Sequence, residues 1–187
     1  MALSINELKS GLTILVDNQV WLTLECQHVK PGKGAAFVRA KIRNLKNSSV
    51  QEKTFRGDEK IEEAFVEQRK LQYSYPSGEL YHFMDQENFE EIAISKEQLG
   101  DKIKFLKDNL EVTAYFHKNE VLNVELPNFI EFTVIDTEPG FKGDSAKSDT
   151  KSAKIETGGT VQVPLFINKE DRIKVDTRSG AYVERAY

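Results

Sequence analysis

Turn signals break this chain at intervals of roughly 8 to 12 residues, and between them side chains alternate apolar and polar rather than repeating every third or fourth position. Spacing this short leaves room for strands and little else. Strands are expected over 12–17, 20–29, 35–43 and 50–55, with turns at Asp17-Asn18 and Asn47-Ser48. More follow over 69–75 and 79–85, joined by Pro76-Ser77-Gly78, and over 110–117 and 121–126 around Lys118-Asn119. The last set is 129–136, 160–167, 173–177 and 181–184, with Pro164 marking an edge strand or a bulge. One helix is expected: Ser95 followed by Gln98 is a capping box, and Leu99, Ile103 and Leu106 then share a face. The stretch 139–153 is rich in Gly, Ser, Lys and Asp and reads as an exposed loop. Three compact β units at 1–63, 64–127 and 128–187 explain the pattern better than one sheet.

Charge divides along the same lines. Through Arg56 nine basic residues face four acidic ones, whereas from Glu62 to Leu126 carboxylates dominate, with Glu62, Glu63, Glu67, Glu79, Asp85, Glu87, Glu90 and Glu91 in its first half. The net charge of −4 hides a basic head on an acidic body, so only one end is suited to meet phosphate. No apolar run is long enough to span a membrane, and the first residues lack the basic and apolar regions of a secretory signal. A cytoplasmic location is the default expectation. The one cysteine, Cys26, excludes an internal disulfide and falls on the apolar side of an alternating segment, which favours a packed thiol over a nucleophile.

Within the basic head, Lys30-Pro31-Gly32-Lys33-Gly34 separates two alternating segments and puts Lys33 at the tip of a tight hairpin. Pro31 presets its φ, while Gly32 and Gly34 accept positive φ and close approach by a partner. Leaving that tip, Val20, Leu22, Leu24 and Cys26 are expected on one face of the first strand. In the second, Ala36, Val38, Ala40 and Ile42 face inward and Phe37, Arg39, Lys41 and Arg43 outward. Three cations in a row, with Lys46 beyond, fit either a solvated surface that serves solubility or a phosphate backbone, which supplies a counter-charge without any reading of bases. Near the C-terminus, a turn at Arg178-Ser179-Gly180 leaves Arg178 exposed with Tyr182 and Arg185 close by, a combination able to clamp and stack on nucleic acid.

Catalytic chemistry finds no support. His28, His82 and His117 lie far apart, each in a strand, and read as ordinary barrel histidines rather than metal ligands. Glu62-Glu63 and Glu90-Glu91 are strand neighbours that point to opposite faces, so neither pair can share a proton. No phosphate loop, nucleophile elbow, dinucleotide fingerprint or paired-cysteine metal motif occurs, and neither a cofactor nor a metal is expected.

The separated motifs agree on one family. Lys30-Pro31-Gly32-Lys33-Gly34 with Ala36-Phe37, then Glu52-Lys53-Thr54-Phe55, Tyr81-His82-Phe83-Met84, Pro127-Asn128-Phe129 and Asp136-Thr137-Glu138-Pro139-Gly140, resemble bacterial elongation factor P. So does the ending from Lys174 to Val183, which includes Asp176-Thr177-Arg178-Ser179-Gly180. The resemblance spans the whole chain and implies an all-β protein: an SH3-like (KOW-type) domain followed by two OB-folds in an elongated, L-shaped, tRNA-like arrangement. It implies a non-enzymatic factor, a monomer, that binds the 70S ribosome between the P and E sites and relieves stalling at consecutive prolines.

Carried onto these residues, the resemblance makes Lys33 the tip that meets the CCA end of P-site peptidyl or initiator tRNA, usually after a lysine-modifying enzyme has extended its amine. Pro31, Gly32 and Gly34 would support it, and Lys30, Arg39, Lys41 and Arg43 would lie along the acceptor arm. Gly143-Asp144-Ser145 resembles the loop that approaches the E-site mRNA codon, with Ser145 where threonine is more frequent. Arg178, Tyr182 and Arg185 would contact RNA or the ribosome. Two other readings compete: a general OB-fold RNA binder, against which the acidic middle segment speaks, and a paralogue of the family without the polyproline role.

Overall fold

The computed structural model describes residues 2–138 and 150–187. Three antiparallel sheets carry the fold, and they follow one another along the chain as curled half-barrels. The first contains β1 (Ala2–Leu3), β2 (Thr13–Val16), β3 (Gln19–Val29), β4 (Phe37–Asn44), β5 (Val50–Arg56) and β6 (Ile61–Glu63) in the order β1-β6-β2-β3-β4-β5. The second contains β7 (Glu67–Ser77), β8 (Leu80–Asp85), β9 (Glu91–Ser95), β10 (Glu111–His117) and β11 (Glu120–Glu125) in the order β11-β10-β7-β8-β9. The third contains β12 (Phe129–Thr137), β13 (Thr150–Ile155), β14 (Thr160–Pro164), β15 (Arg172–Asp176) and β16 (Ala181–Ala186) in the order β14-β13-β12-β15-β16. By packing, the chain divides into two compact units, Met1–Arg69 with Ala114–Val124, and Lys70–Thr113 with Glu125–Tyr187.

Local sequence explains the short connections. Asp17 and Asn18 both take positive φ (52° and 59°), as do Lys118 and Asn119 (49° and 65°), the two-residue loop whose twist matches that of antiparallel strands. Asn44 closes the β4–β5 turn from a buried position: its carbonyl oxygen accepts from the Lys46 and Asn47 amides at 2.8 and 3.2 Å, and its Nδ2 donates to Gln19. Ser95 caps α1 (Lys96–Leu99), accepting from the Gln98 amide at 3.3 Å as the capping box predicts. The expected longer helix does not form, because Gly100 turns to φ +55° and a 3-10 helix, Gly100–Phe105, continues instead.

Two expectations are corrected, one about a strand face and one about a loop. β3 was expected to keep one apolar face, yet a bulge between Thr23 and Glu25 resets its alternation. Before the bulge Trp21 joins Ile14, Val38, Ile42 and Phe55 in the core of the first sheet, while Val20 and Leu22 pack with Leu45, Ala64 and Leu122 in a second cluster. After it, Cys26 returns to the main core, and burial pushes its thiol pKa up. The loop expected over 139–153 is likewise too long, since β13 begins at Thr150. Lys151 passes for a loop residue, but its stem is buried beside the buried Ala153 and Ile155, and its Nζ donates to the Glu138 carbonyl at 2.8 Å. Pro164 stands where expected, at the end of the edge strand β14.

Candidate functional site

The β3–β4 ladder ends at the pair Val29 and Phe37, leaving a seven-residue loop, 30–36, rather than the tight hairpin expected. Lys30 through Ala35 are exposed. Gly34 adopts φ +113°, a conformation that side chains with a Cβ rarely take, so this glycine is required by the fold. Gly32 does not need positive φ, and a Cβ there would meet nothing within 4 Å, so any demand for glycine at 32 comes from outside the chain. Among the described residues no side-chain hydrogen bond or ion pair engages Lys33, Lys30, Arg39, Lys41 or Arg43.

Along β4 the inward residues Val38, Ala40 and Ile42 are buried, and Phe37, Arg39, Lys41 and Arg43 take the other face, as the alternation predicts. The cations nevertheless differ. Lys41 stands between Glu25 and Glu52 in the register, so carboxylates of the protein's own sheet flank it. Arg43 is half-buried between Leu22 and Val50. Arg39, between Gln27 and Thr54, has no charged cross-strand neighbour. Lys46 sits past the far end of β4, a strand of eight residues and so about 26 Å long at ~3.3 Å per residue.

A cavity of about 510 Å³ adjoins the loop, lined by Ala35, Phe37, Arg39, Thr54, Arg56 and Asp58 among others. Arg56 is opposite Phe37 across the β4–β5 ladder, and Arg39 follows Phe37 two residues on along β4, so both arginines and the ring line the same cavity. This is a setting for phosphate and for a stacked base. Sequence reasoning placed Phe37 on the outward face but did not single out Arg56 or Asp58, because only the β4–β5 register brings residue 56 to residue 37. The feature that could have found Arg56 is the turn at 44–49, whose length fixes that register.

At the C-terminal end, Arg178, Tyr182 and Arg185 are less available than their exposure suggested. Arg178 forks onto Asp176, Nε donating to Oδ1 at 3.0 Å and Nη2 to Oδ2 at 2.6 Å, and its guanidinium lies 5.7 Å from the Phe129 ring centroid. Arg185 donates to Asp171 at 2.6 Å. Tyr182 is half-buried opposite Val175. Arg178 also borders a cavity of about 400 Å³ with Asp101, Lys102 and Lys104. Hydrogen bonds from the Arg178 side chain, then from its backbone, hold the Asp176 carboxyl at about 2, below the usual 3.8. A depressed folded-state value means that the contact contributes stability above pH ~3.8 and loses it as pH falls toward 2. An NMR titration should find the Asp176 midpoint near 2 and see it return toward 3.8 in Arg178→Ala; no change in the variant would show that another group sets it.

The remaining candidates have ordinary structural contacts. His28 Nε2 lies 3.0 Å from the Leu8 carbonyl, and His117 Nδ1 lies 2.7 Å from that of Phe65. Among the described residues no group of His, Cys, Asp and Glu is placed to hold a metal ion. Among the described residues no helix is long and apolar enough to cross a membrane. Gly143, Asp144 and Ser145 lie outside the described residues.

Comparison with known proteins matches three family descriptions in succession: the elongation factor P KOW-like domain at residues 4–61, the elongation factor P OB domain at 66–124, and the elongation factor P C-terminal domain at 123–185. Elongation factor P of Natranaerobius thermophilus is 52% identical over 180 residues, covering 96% of each chain. Solved structures of similar fold include a translation initiation factor 5A from Methanococcus jannaschii, with TM-score 0.52 and 20% identity over 66% of this chain and 93% of that one. A member of the same initiation-factor family from Naegleria fowleri gives TM-score 0.55 and 16% identity over 67% of this chain and 98% of that one.

Proposed function

The chain belongs to the elongation factor P family of translation factors, and from that premise we propose that it binds the 70S ribosome between the P and E sites and promotes peptide-bond formation at consecutive prolines. The observation that carries this reading is the loop 30–36, which holds Lys33 exposed and without a side-chain partner among the described residues. The loop also stands beside a cavity walled by Arg39 and Arg56. Lys33, with its amine extended by a modifying enzyme, meets the CCA end of P-site tRNA. Lys30 and Arg39 hold the acceptor arm by its phosphates, with Lys41 and Arg43 contributing less.

The protein acts by position. Proline reacts slowly because the peptidyl end strays from a reactive geometry, and holding that end in place lowers the barrier through orientation and entropy without an acid, base or nucleophile from this chain. Three modules, 1–63, 64–127 and 128–187, divide the work. The first meets the tRNA. The last, through Gly143-Asp144-Ser145 and the Arg178, Tyr182 and Arg185 group, approaches the E-site codon and nearby RNA. The factor works as a monomer in the cytoplasm.

Ribosome co-sedimentation compared with filter binding to free RNA separates this reading from that of a general RNA binder. The protein should pellet with 70S ribosomes and bind free single-stranded RNA weakly, because the excess of basic over acidic residues is limited to the first 56 residues. Tight binding to free RNA with no enrichment on ribosomes would overturn it.

A further inference from the structure

Between β6 and β7 the chain passes through Ala64-Phe65-Val66, the kind of short connection at which folded parts hinge, yet here it is bonded on two sides. The Ala64 amide donates to the Thr13 carbonyl at 2.8 Å, and the Thr13 hydroxyl donates to the Ala64 carbonyl. One residue on, the Phe65 carbonyl accepts from Nδ1 of His117, the last residue of β10, at 2.7 Å. A carbonyl can only accept, so Nδ1 carries the proton. Nε2 of the same ring is buried as well, which places the ring within the packing rather than on its surface. The Phe65 side chain is 79% exposed, so this residue is held through its main chain. Apolar packing closes the same joint. Ala64 is buried with Val20 and Leu45, and Leu22, Val66 and Leu122 of β11 pack against them. All of these residues belong to one compact unit, 1–69 with 114–124.

The joint lies at the root of β3, and the loop that carries Lys33 lies at its far end. From Leu22 to Val29 the strand reaches ~23 Å at ~3.3 Å per residue. Over that reach a swing of about 2.5° moves the loop by ~1 Å, a displacement that can cost ~100-fold in rate where one end must be held for reaction. A free hinge cannot meet that tolerance, whereas a bonded and packed connection can. We propose that the joint is a splint that sets the direction of the β3–β4 hairpin, with His117 as a positioning residue that acts through the Phe65 carbonyl. Hydrogen bonds fix the main chain of the connection from both sides, and the apolar cluster resists its bending. The consequence for translation rests on the role proposed for Lys33; the stiffness of the joint does not.

Two measurements test the joint and its consequence separately. NMR residual dipolar couplings of the full chain should fit a single alignment for the amides of β3–β4 and those of residues 114–124, and in His117→Ala the two sets should diverge. His117→Asn places an amide Nδ2 close to where the ring Nδ1 stands and should restore the common alignment. In single-turnover transfer between two prolines on ribosomes, His117→Ala should lower the rate at saturating factor by roughly tenfold. The concentration for half-saturation should stay within about threefold, and His117→Asn should recover most of the rate. If His117→Ala, folded by circular dichroism, kept the full saturating rate, the positioning role would be overturned, since a contact that only stabilises the fold predicts that result. Separate alignments in the unsubstituted protein would overturn the splint, and a common alignment kept in His117→Ala would overturn the part given to His117. Both of these hold whatever the translation assay gives, so a factor that accelerates nothing would contradict the role of Lys33 and leave the couplings to decide the joint.

Discussion

Lys33→Ala is expected to abolish rescue of a Pro-Pro-Pro reporter in a translation assay while ribosome binding stays within about threefold of the unsubstituted protein. The separation follows from the loop. Lys33 has no side-chain partner among the described residues and Gly34 alone sets the unusual backbone, so removing the lysine side chain leaves the barrel intact, with a stability change within about 0.5 kcal/mol. Affinity for a large RNA surface is shared among several cations, whereas positioning of one CCA end depends on the one group that reaches it. Misplacement of a reacting end by about 1 Å can cost ~100-fold in rate. Lys33→Arg sharpens the result: it keeps the charge but removes the primary amine that, on the proposed reading, a modifying enzyme extends, so it should fail as the alanine variant does. Equal rescue by Lys33→Ala would remove Lys33 from the mechanism.

Phe132→Ala should destabilise the C-terminal barrel by about 3–5 kcal/mol, the cost of truncating a fully buried aromatic side chain. Phe132 is 0% exposed on β12, and its ring meets Phe105 with centroids 5.9 Å apart. Lys107 lies over the same ring at 6.0 Å and also donates to the Glu131 carbonyl at 2.9 Å. One side chain therefore ties the segment after α1 to the third sheet. Phe132→Leu, which keeps most of the volume, should cost less than about 1.5 kcal/mol. Urea denaturation followed by circular dichroism measures both, and a loss under about 1 kcal/mol in Phe132→Ala would show that the pocket collapses to fill the space.

Much of the fold was legible because most strands alternate and most turns carry their own signals. The turns at Asp17-Asn18 and Lys118-Asn119 and the cap at Ser95 are signalled by local residue types, with Asp and Asn tolerating the positive φ that such turns need. What escaped was long-range. β13 hides behind Lys151, whose burial depends on a carbonyl supplied by Glu138 on another segment. The bulge in β3 is invisible in a pattern that is apolar on both faces at its start, because the second apolar face packs against Leu45, Ala64 and Leu122.

The candidate site shows the same division. Lys33 and the stripe on β4 could be read directly, whereas the carboxylates flanking Lys41 and the approach of Arg56 to Phe37 depend on register. So does the Arg185–Asp171 ion pair, which joins residues 14 apart. Cations that look alike in the sequence therefore differ in availability: among the described residues Lys30, Lys33 and Arg39 have no carboxylate paired with them, whereas Lys41 is flanked by two and Arg178 and Arg185 are paired.

The central claim, acceleration confined to poor substrates through position, is tested most directly by single-turnover peptide-bond formation on purified ribosomes with protein isolated from its native host. Transfer between two prolines should quicken by roughly tenfold or more, and transfer to phenylalanine should hardly change, because an end already well placed gains little from orientation. Lys33→Ala should leave both rates at their values without the factor. Equal acceleration of both reactions, or none of either, would contradict the account.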